Sequence, residues 1–208
     1  MNSDDYEIFF WDFDGVIKDS VDIKANSFEF LFKKFGLNIQ EKVRHHHLEN
    51  GGMSRFEKIP LYLSWVNENN KENIKKYLND FKRITFKKVI ASKWVPGVKK
   101  FIEDHSKIKK FFLVSATPEK EIQLILNELN FSHHFVKIFG SPIKKSDAIK
   151  QILNKESVTL KKCLMIGDAI EDLKAAEENK ITFVLNKHEH NLELFSNHKG
   201  LLLRDFIN

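Results

Sequence analysis

The sequence predicts an α/β protein whose core is a doubly wound parallel sheet and which carries a separate all-helical segment. Short, nearly continuous apolar runs recur along the chain, which is typical of strands covered on both faces. Amphipathic stretches separate these runs, and alternation of strands with helices indicates parallel pairing. The lack of a convincing strand between residues 17 and 94 predicts the helical segment.

Apolar runs rich in Phe, Ile, Val and Leu carry the strand prediction. They lie at residues 6–11, 110–115, 135–139, 163–166, 181–185 and 200–203. The helical patterns of the core lie at residues 98–105, 120–130, 146–154 and 170–179. Pro118 stands just before the second of these helices, where the missing N–H of proline leaves no hydrogen bond unmade. Strands and helices are therefore expected to alternate from residue 98 onward.

The segment after the first apolar run has a different character. Amphipathic patterns at residues 27–35 and 56–67 predict helices, and Gly51-Gly52 predicts a loop between them. The "VPG" at residues 95–97 then marks the return to the α/β pattern. We therefore predict an α/β core formed by residues 1–16 and 95–208, with an all-helical insert at residues 17–94.

The composition is that of an ordinary folded domain. Of the 208 residues, 42% are hydrophobic and 30% are charged, which is enough apolar content for a buried core. No apolar run approaches the roughly 18 residues of a membrane span, and no secretory signal is visible. The single cysteine, Cys163, cannot form an internal disulfide and fits a reducing compartment. We therefore expect a cytoplasmic protein with no membrane partner, as a monomer or dimer.

The net charge of +5 comes from lysines that are scattered along the chain. A nucleic-acid surface would need basic and aromatic residues clustered on one element, so no nucleic-acid partner is expected. A mildly positive surface instead favours small anionic substrates. The run "HHH" at residues 45–47 invites a metal interpretation, but adjacent residues on a helix do not share a face.

Polar side chains follow several of the predicted strands, at the sheet edge where open parallel sheets bind ligands. The residues at these strand ends include Asp12, Asp14 and Gly15; Ser115, Ala116 and Thr117; Gly140, Lys144 and Lys145; and Gly167, Asp168 and Asp172. Asp12 and Asp14 flank Phe13, so an extended chain points both carboxylates the same way, at a cost unless a cation compensates them. Clustered carboxylates suit a hard divalent cation such as Mg²⁺. With a metal and a lysine nearby, a carboxylate can attack a phosphate ester.

These stretches resemble the four motifs of the haloacid dehalogenase superfamily in order and spacing. The matching pieces are "DFDGV" at residues 12–16, Ser115, a lysine at 144 or 145, and "GDAIED" at residues 167–172. The insert is similar to the helical cap of the subclass with a cap after the first motif, and "DGVIKDS" resembles its hinge. The resemblance implies a Rossmann-like core, an all-helical cap at residues 17–94 and a phosphatase of the phosphoglycolate phosphatase or β-phosphoglucomutase kind.

The resemblance implies a role for each matching residue. Asp12 would attack phosphorus and form an aspartyl-phosphate, while Asp14 would protonate the leaving group and then activate water. Ser115 would hydrogen-bond a phosphoryl oxygen, and a lysine would hold the nucleophile and the phosphate. Gly15 and Ala116 would contribute to substrate binding beside them. Because an acid is needed for an oxygen leaving group and not for a halide, Asp14 favours a phosphate ester as substrate.

The resemblance also implies a Mg²⁺ site. Asp12, Asp168 and the backbone carbonyl of Asp14 would bind the metal. Asp172 lies four residues after Asp168, on the same face of the first helical turn, and is predicted to support the metal or its bound water.

Two adjacent lysines compete for the lysine position of the site. The stretch "KSDAI" at residues 145–149 fits the K-x-x-x-apolar helix start of the family, with Ser146 as its cap, and favours Lys145. The family often has a proline next to the lysine, and none follows here, so Lys144 stays open as the alternative.

The cap sequence "GMSR" at residues 52–55 is similar to the G-x-S-R substrate loop of the β-phosphoglucomutase branch. Arg55 is therefore predicted to bind an anionic group of a small phosphorylated metabolite. The mutase pattern has a histidine ten positions beyond the acid/base aspartate, where this chain has Lys24. Hydrolysis of a small phosphate monoester is thus the predicted activity. An intramolecular phosphomutase, a non-enzymatic protein on the same scaffold and a nucleic-acid-binding protein are the alternatives.

Overall fold

Six strands form one sheet in the computed structural model, which describes residues 3–207 apart from the side chains of residues 205 and 206. The strands are β1 (Ile8–Trp11), β2 (Lys110–Pro118), β3 (Lys137–Ser141), β4 (Cys163–Gly167), β5 (Thr182–Leu185) and β6 (Leu201–Leu202). Their order is β3-β2-β1-β4-β5-β6, and every pair is parallel. The predicted doubly wound parallel sheet is confirmed, since β1 lies in the middle and the chain winds outward on both sides of it.

Burial on both faces explains why the strands read as continuous apolar runs. All four residues of β1 are buried. Phe9 and Trp11 pack into the core layer on one face of the sheet, whereas Ile8 and Phe10 pack into the layer on the other. Because successive side chains of a strand alternate between faces, a strand with helices on both sides must be apolar at every position.

Helices cover the two faces of the sheet and fill the segment between β1 and the rest of the core. They are α1 (Val21–Leu31), α2 (Leu37–Glu49), α3 (Arg55–Ser64), α4 (Lys71–Ala91), α5 (Val98–His105), α6 (Glu119–Glu128), α7 (Lys145–Leu153), α8 (Ile170–Glu178) and α9 (Arg204–Ile207). Helix α7 begins one residue earlier than predicted. Lys144, in an extended conformation, is its N-cap and Ser146 lies inside the first turn, so the predicted Ser146 cap is wrong. No helix of the described part of the chain combines the length and apolarity that a membrane crossing requires.

Helices α1 to α4 have a hydrophobic core of their own. Phe28 and Phe32 of α1 pack against Tyr62 of α3 and Phe81 of α4, with the Phe28 and Phe81 ring centroids 4.0 Å apart. We refer to this four-helix segment as the cap. Its separate core explains why the sequence between residues 17 and 94 carries helical rather than strand periodicity.

The connection between the core and the cap is held by a buried lysine. Lys18 donates to the backbone carbonyl of Ile90 at 3.1 Å, and its ammonium lies 4.6 Å from the ring centroid of Trp94. Short β-bridges join Lys18 to Asp14 on one side and to Trp94 on the other. The two chain segments that link core and cap therefore run side by side at this point.

Candidate active site

The predicted site residues meet where β1 and β4 end. This is the point at which the strand order of the sheet reverses, so the loops after the two strands diverge and leave a crevice. Asp12 follows β1 directly and Asp168 follows β4. Gly15 has a φ of +76°, and a Cβ there would lie 2.2 Å from Oδ2 of Asp168. Glycine therefore lets the first loop turn sharply and approach the fourth loop closely.

Lys145 joins two of the buried carboxylates. Its Nζ lies 3.0 Å from Oδ2 of Asp12 and 2.6 Å from Oδ1 of Asp172. Burial alone would lower the pKa of Lys145, but the two carboxylates together raise it, so the side chain is an ammonium ion. Lys144, the alternative, is exposed at the N-cap of α7. The structure thus brings Lys145, and not Lys144, to Asp12.

Both carboxylate oxygens of Asp172 accept hydrogen bonds. While Oδ1 accepts from Lys145, Oδ2 accepts the backbone N–H groups of Asp168 at 3.2 Å and Ala169 at 3.1 Å. The side chain is fully buried, and a Cβ on Gly167 would overlap it. Asp172 therefore fixes both the lysine and the start of α8, which places the carboxylate of Asp168 at the crevice.

The three buried carboxylates carry more negative charge than Lys145 can balance. Burial raises the pKa of Asp12 to about 7 against the opposing effect of Lys145, and burial also raises the pKa of Asp168 and Asp172. One oxygen of each of the three lies within 4.8 Å of the others. Hard oxygen donors with excess negative charge fit Mg²⁺. Because the oxygens of Asp172 already accept hydrogen bonds, Asp12 and Asp168 are the more open ligands of the set.

Asp14 is bound by residues of the hinge, of the cap and of β2 in the core. Ser20 donates to its Oδ1 at 2.6 Å, Thr117 donates to Oδ2 at 3.2 Å, and Lys24 of α1 forms an ion pair with the same oxygen. Burial would raise the pKa of Asp14, but the charge and hydrogen bond of Lys24, with the two hydroxyl donors, lower it. Asp14 is therefore a carboxylate, and its side chain is directed toward the cap side of the crevice.

Ser115 and Ala116 complete the core side of the site. Ser115 is buried within β2, three residues before its end, and its Oγ accepts the backbone N–H of Thr117 at 3.1 Å. Ser115, Ala116 and Lys145 line a second cavity along the same sheet edge. Hydroxyl, amide and ammonium donors are thus available beside Asp12, which is the donor set that phosphoryl oxygens need.

A cavity of about 60 Å³ lies between the core and the cap. Asp12, Asp14 and Asp168 line it from the core, and the cap covers it with apolar side chains and cations. The cap residues that line it include Phe28, Phe81, Met53, Lys24, His47, Arg55 and Lys58. A volume of this size suits a small ligand.

Arg55 reaches this cavity, yet its guanidinium is already bound by a core residue. Nη1 donates to Oε2 of Glu121 at 3.0 Å and Nη2 donates to Oε1 at 2.8 Å, with both side chains buried. The guanidinium also stacks over Phe81 at 4.6 Å. Beside it, the hydroxyls of Ser54 and Ser141 lie 2.6 Å apart. In this structure Arg55 therefore connects the cap to the core.

Several residues of the site were missed by reasoning from the sequence. His188 lies 2.9 Å from Oδ2 of Asp168, and Asn191 donates to the Asp168 carbonyl at 2.8 Å. Both follow β5, a strand end for which the sequence predicted no site residue. Lys58 and His47 also line the cavity. Lys58 lies three residues after Arg55, and His47 lies four after the buried Val43, so helical periodicity could have identified both.

Comparison with known proteins agrees with this architecture. The model of the family described as haloacid dehalogenase-like hydrolase matches residues 9–186. Two curated relatives match over shorter stretches. A candidate phosphatase of Mycoplasma pneumoniae is 30% identical over 82 residues, and a 5′-nucleotidase of Pseudomonas aeruginosa is 28% identical over 78 residues. These alignments span 39% and 35% of this chain but only 29% and 35% of the relatives.

Solved structures match over nearly the whole chain. A β-phosphoglucomutase of Clostridium difficile has a TM-score of 0.73 at 22% identity, covering 95% of this chain and 90% of that one. A predicted phosphoglycolate phosphatase of Haemophilus somnus has a TM-score of 0.72 at 16% identity, covering 95% and 93%. A haloacid dehalogenase-like hydrolase of Streptococcus pneumoniae has a TM-score of 0.71 at 19% identity, covering 96% and 94%. At these identities the likeness establishes the fold.

Proposed function

The chain belongs to the haloacid dehalogenase-like hydrolase family, and we propose that it is a Mg²⁺-dependent phosphatase that hydrolyses a small phosphate monoester through an aspartyl-phosphate on Asp12. The observation that carries the proposal is the position of Asp12. Its carboxylate lies at the crevice of the sheet, 3.0 Å from Nζ of Lys145, and lines the cavity together with Asp14 and Asp168.

The first step is transfer of the phosphoryl group to Asp12. A carboxylate oxygen of Asp12 attacks phosphorus, and the bond between phosphorus and the ester oxygen breaks. Lys145 holds the nucleophile and offsets charge on the phosphoryl oxygens, while Ser115 and backbone N–H groups supply further hydrogen bonds. For an alkyl ester the leaving oxygen takes a proton from Asp14, which must first be protonated from solvent because its carboxylate is paired with Lys24 in this structure.

The second step releases phosphate. A water molecule attacks phosphorus of the aspartyl-phosphate, Asp14 accepts the proton of that water, and the bond between Asp12 and phosphorus breaks. Because its pKa is lowered, Asp14 enters this step deprotonated, which is the state that can accept a proton. Esters with acidic leaving groups need no proton from it in the first step, which makes an aryl phosphate the best generic substrate.

Asp12 and Asp168, supported by Asp172, would hold Mg²⁺, together with the backbone carbonyl of Asp14. The ion would neutralise the excess negative charge of the carboxylates and polarise the phosphoryl group. The curated relatives named as a candidate phosphatase and a 5′-nucleotidase support a phosphate ester as the substrate class.

Phosphate release from p-nitrophenyl phosphate with Mg²⁺ tests the proposal. Asp12→Asn keeps the shape of the side chain but cannot form the intermediate, so activity should fall by at least about 10³-fold. Asp104→Asn, which removes an exposed carboxylate on α5, is the matched control and should retain activity. Wild-type activity in the Asp12→Asn protein would overturn the assignment of the nucleophile.

The phosphomutase alternative predicts a different product. Such an enzyme would interconvert sugar 1-phosphates and 6-phosphates without release of inorganic phosphate. Lys24, at the position where the mutase pattern has histidine, is bound to Asp14 in this structure, and this supports hydrolysis as the first choice.

A further inference from the structure

A cation in the cavity above Asp12 would be needed to bind a second anionic group of a substrate. This inference rests on the phosphatase function proposed above. Two cations that line the cavity are already paired. Lys24 binds Asp14, and Arg55 forms a bidentate ion pair with Glu121. Neither is free to bind a further anion without losing a buried partner.

Lys58 differs from both of them. It lies one turn after Arg55 on α3, is only 1% exposed and lines the same cavity as Asp12 and Asp14. Its Nζ lies 2.8 Å from Nδ1 of His47 and 3.4 Å from the His47 carbonyl oxygen. Among residues 3–207 as the structure describes them, no carboxylate forms an ion pair with Lys58.

His47 holds Lys58 without neutralising it. The ring is buried, 4.8 Å from the ring of Phe28, and burial followed by the positive charge of Lys58 lowers the pKa of His47 well below its usual value. The neutral imidazole therefore accepts a hydrogen bond from the lysine at Nδ1. The ammonium group is fixed in position while its charge stays uncompensated.

A buried ammonium ion without a counter-ion is costly, and an anion in the cavity would relieve that cost. Burial, reinforced by Lys24, lowers the pKa of Lys58 to about 7 against smaller opposing effects of Glu171, Asp14 and Glu57. The same residue would be stabilised as a cation by an anionic ligand group. The small volume of the cavity limits such a ligand to a short molecule.

We propose that Lys58, positioned by His47, binds a second anionic group of the substrate, so that the preferred substrates are short phosphate monoesters that also carry a carboxylate or a second phosphate. Asp12 would receive the phosphoryl group from the core side, and Lys58 would receive the other anion on the cap side. Arg55, in this arrangement, positions α3 against the core and does not contact the substrate.

Three phosphate esters of similar size test this proposal. Phosphoglycolate has an anionic tail, ethyl phosphate a neutral tail and phosphoethanolamine a cationic tail. In the wild-type protein kcat/KM should be about 10- to 100-fold higher for phosphoglycolate than for ethyl phosphate, which is the range of a charge-assisted hydrogen bond, and lowest for phosphoethanolamine. Equal values for the three esters would overturn the proposal without any variant.

Lys58→Met should reduce the preference for phosphoglycolate over ethyl phosphate to within about threefold, since methionine keeps the apolar stem and removes the charge. A buried unpaired charge replaced by an apolar side chain is not expected to impair folding, which a thermal melt verifies. Lys76→Met removes an exposed lysine of α4 in the same cap and is the matched control. It should leave the preference unchanged. A full preference in the Lys58→Met protein would overturn the proposal.

Ethylene glycol bisphosphate distinguishes the two kinds of anion. A higher kcat/KM for it than for phosphoglycolate would assign a second phosphate to Lys58, and a lower one a carboxylate. Failure of the phosphatase function itself is recognised separately, because p-nitrophenyl phosphate would then also be inert. Calorimetry on the Asp12→Asn protein would in that case still test Lys58. Binding of phosphoglycolate should be about tenfold tighter than binding of ethyl phosphate, and equal affinities would overturn the proposal.

Discussion

The pKa of each carboxylate in this site depends on which cation or hydrogen-bond donor compensates its charge. Asp12 and Asp14 are two residues apart, yet their pKa values move in opposite directions. Asp12 shares Lys145 with Asp172 in a buried acidic cluster, whereas Asp14 is the carboxylate that pairs with Lys24 and accepts from two hydroxyl groups. The environment thus separates a nucleophile that needs a further cation from an acid/base group that is already compensated.

The raised pKa of Asp12 predicts a pH-dependent response to Mg²⁺. Its folded value of about 7 exceeds the ordinary 3.8, so the folded protein holds a proton that the unfolded chain has lost over this interval. Proton binding by Asp12 therefore stabilises the folded protein fully below pH 3.8, and this stabilisation is lost as the pH rises through about 7. Asp168 and Asp172 are shifted in the same direction.

A melting experiment checks this prediction. Mg²⁺ must displace the proton, so its addition to chelator-treated protein should raise the Tm more at about pH 7.5 than at about pH 5, by a difference of a few degrees. Asp12→Asn should remove most of the pH dependence of that shift. A Mg²⁺-induced shift that is as large at the lower pH would contradict the assignment of Asp12 to the metal site.

At the scale of elements, the loop between α2 and α3 is packed against α8 of the core. Gly52 lies so close to α8 that a Cβ there would be 2.6 Å from Cβ of Glu171. Neighbouring Gly51 has more room, since a Cβ would lie 3.5 Å from Cβ of Ala169. The close approach of cap and core at this point therefore depends on one glycine of the pair.

Gly52→Ala should impair closure of the cap over Asp12. We expect kcat/KM for p-nitrophenyl phosphate to fall about tenfold, because a displacement of the cap loop misplaces the groups around the phosphate. Gly51→Ala adds the same atom in the same loop at an ordinary contact distance and should change the rate far less. Equal effects of the two substitutions would show that loop flexibility, and not the contact with α8, matters.

For the whole molecule, the cap is held on the core by a small number of buried polar contacts. One of these is the ion pair between Arg55 of α3 and Glu121 of α6, and the hydroxyl contact of Ser54 with Ser141 lies beside it. Lys24 of α1 also pairs with Asp14. Movement of α3 away from the core must break the contacts of Arg55 and Ser54. The buried Lys18 at the linking segments stays inside the hinge and can remain in place during such a movement.

Glu121→Gln should shift the cap toward an open arrangement. A buried guanidinium that loses its carboxylate is left with uncompensated charge, at a cost of about 2 kcal/mol or more, which opening to solvent relieves. The expected results are faster proteolysis within the linking segments and a larger radius of gyration in solution scattering. Glu128→Gln, at an exposed position of the same helix, is the control. Unchanged proteolysis and scattering in Glu121→Gln would exclude the ion pair as the closing contact.

Much of the core could be predicted because its signals are local. A strand buried on both faces must be apolar at every position, so β1 and β4 are visible as runs without any knowledge of their neighbours. Parallel strands end at one edge, so polar residues directly after them, such as Asp12 and Asp168, could be brought together on topology alone. The sequence by itself thus determined the sheet, its parallel direction and the acidic edge.

The partners of the charged residues were decided only by the tertiary structure. Arg55 and Glu121 are 66 positions apart, and their ion pair depends on how α3 of the cap packs on α6 of the core. The sequence favoured Lys145 over Lys144, but its two partners, Asp12 and Asp172, are brought to it only by the fold. Within the described residues 3–207 no carboxylate pairs with Lys58, and only the fold could show this. Hydrophobic patterns can be recognised from residues that are close in sequence. Charged groups interact through space, so their partners are known only once the chain is folded.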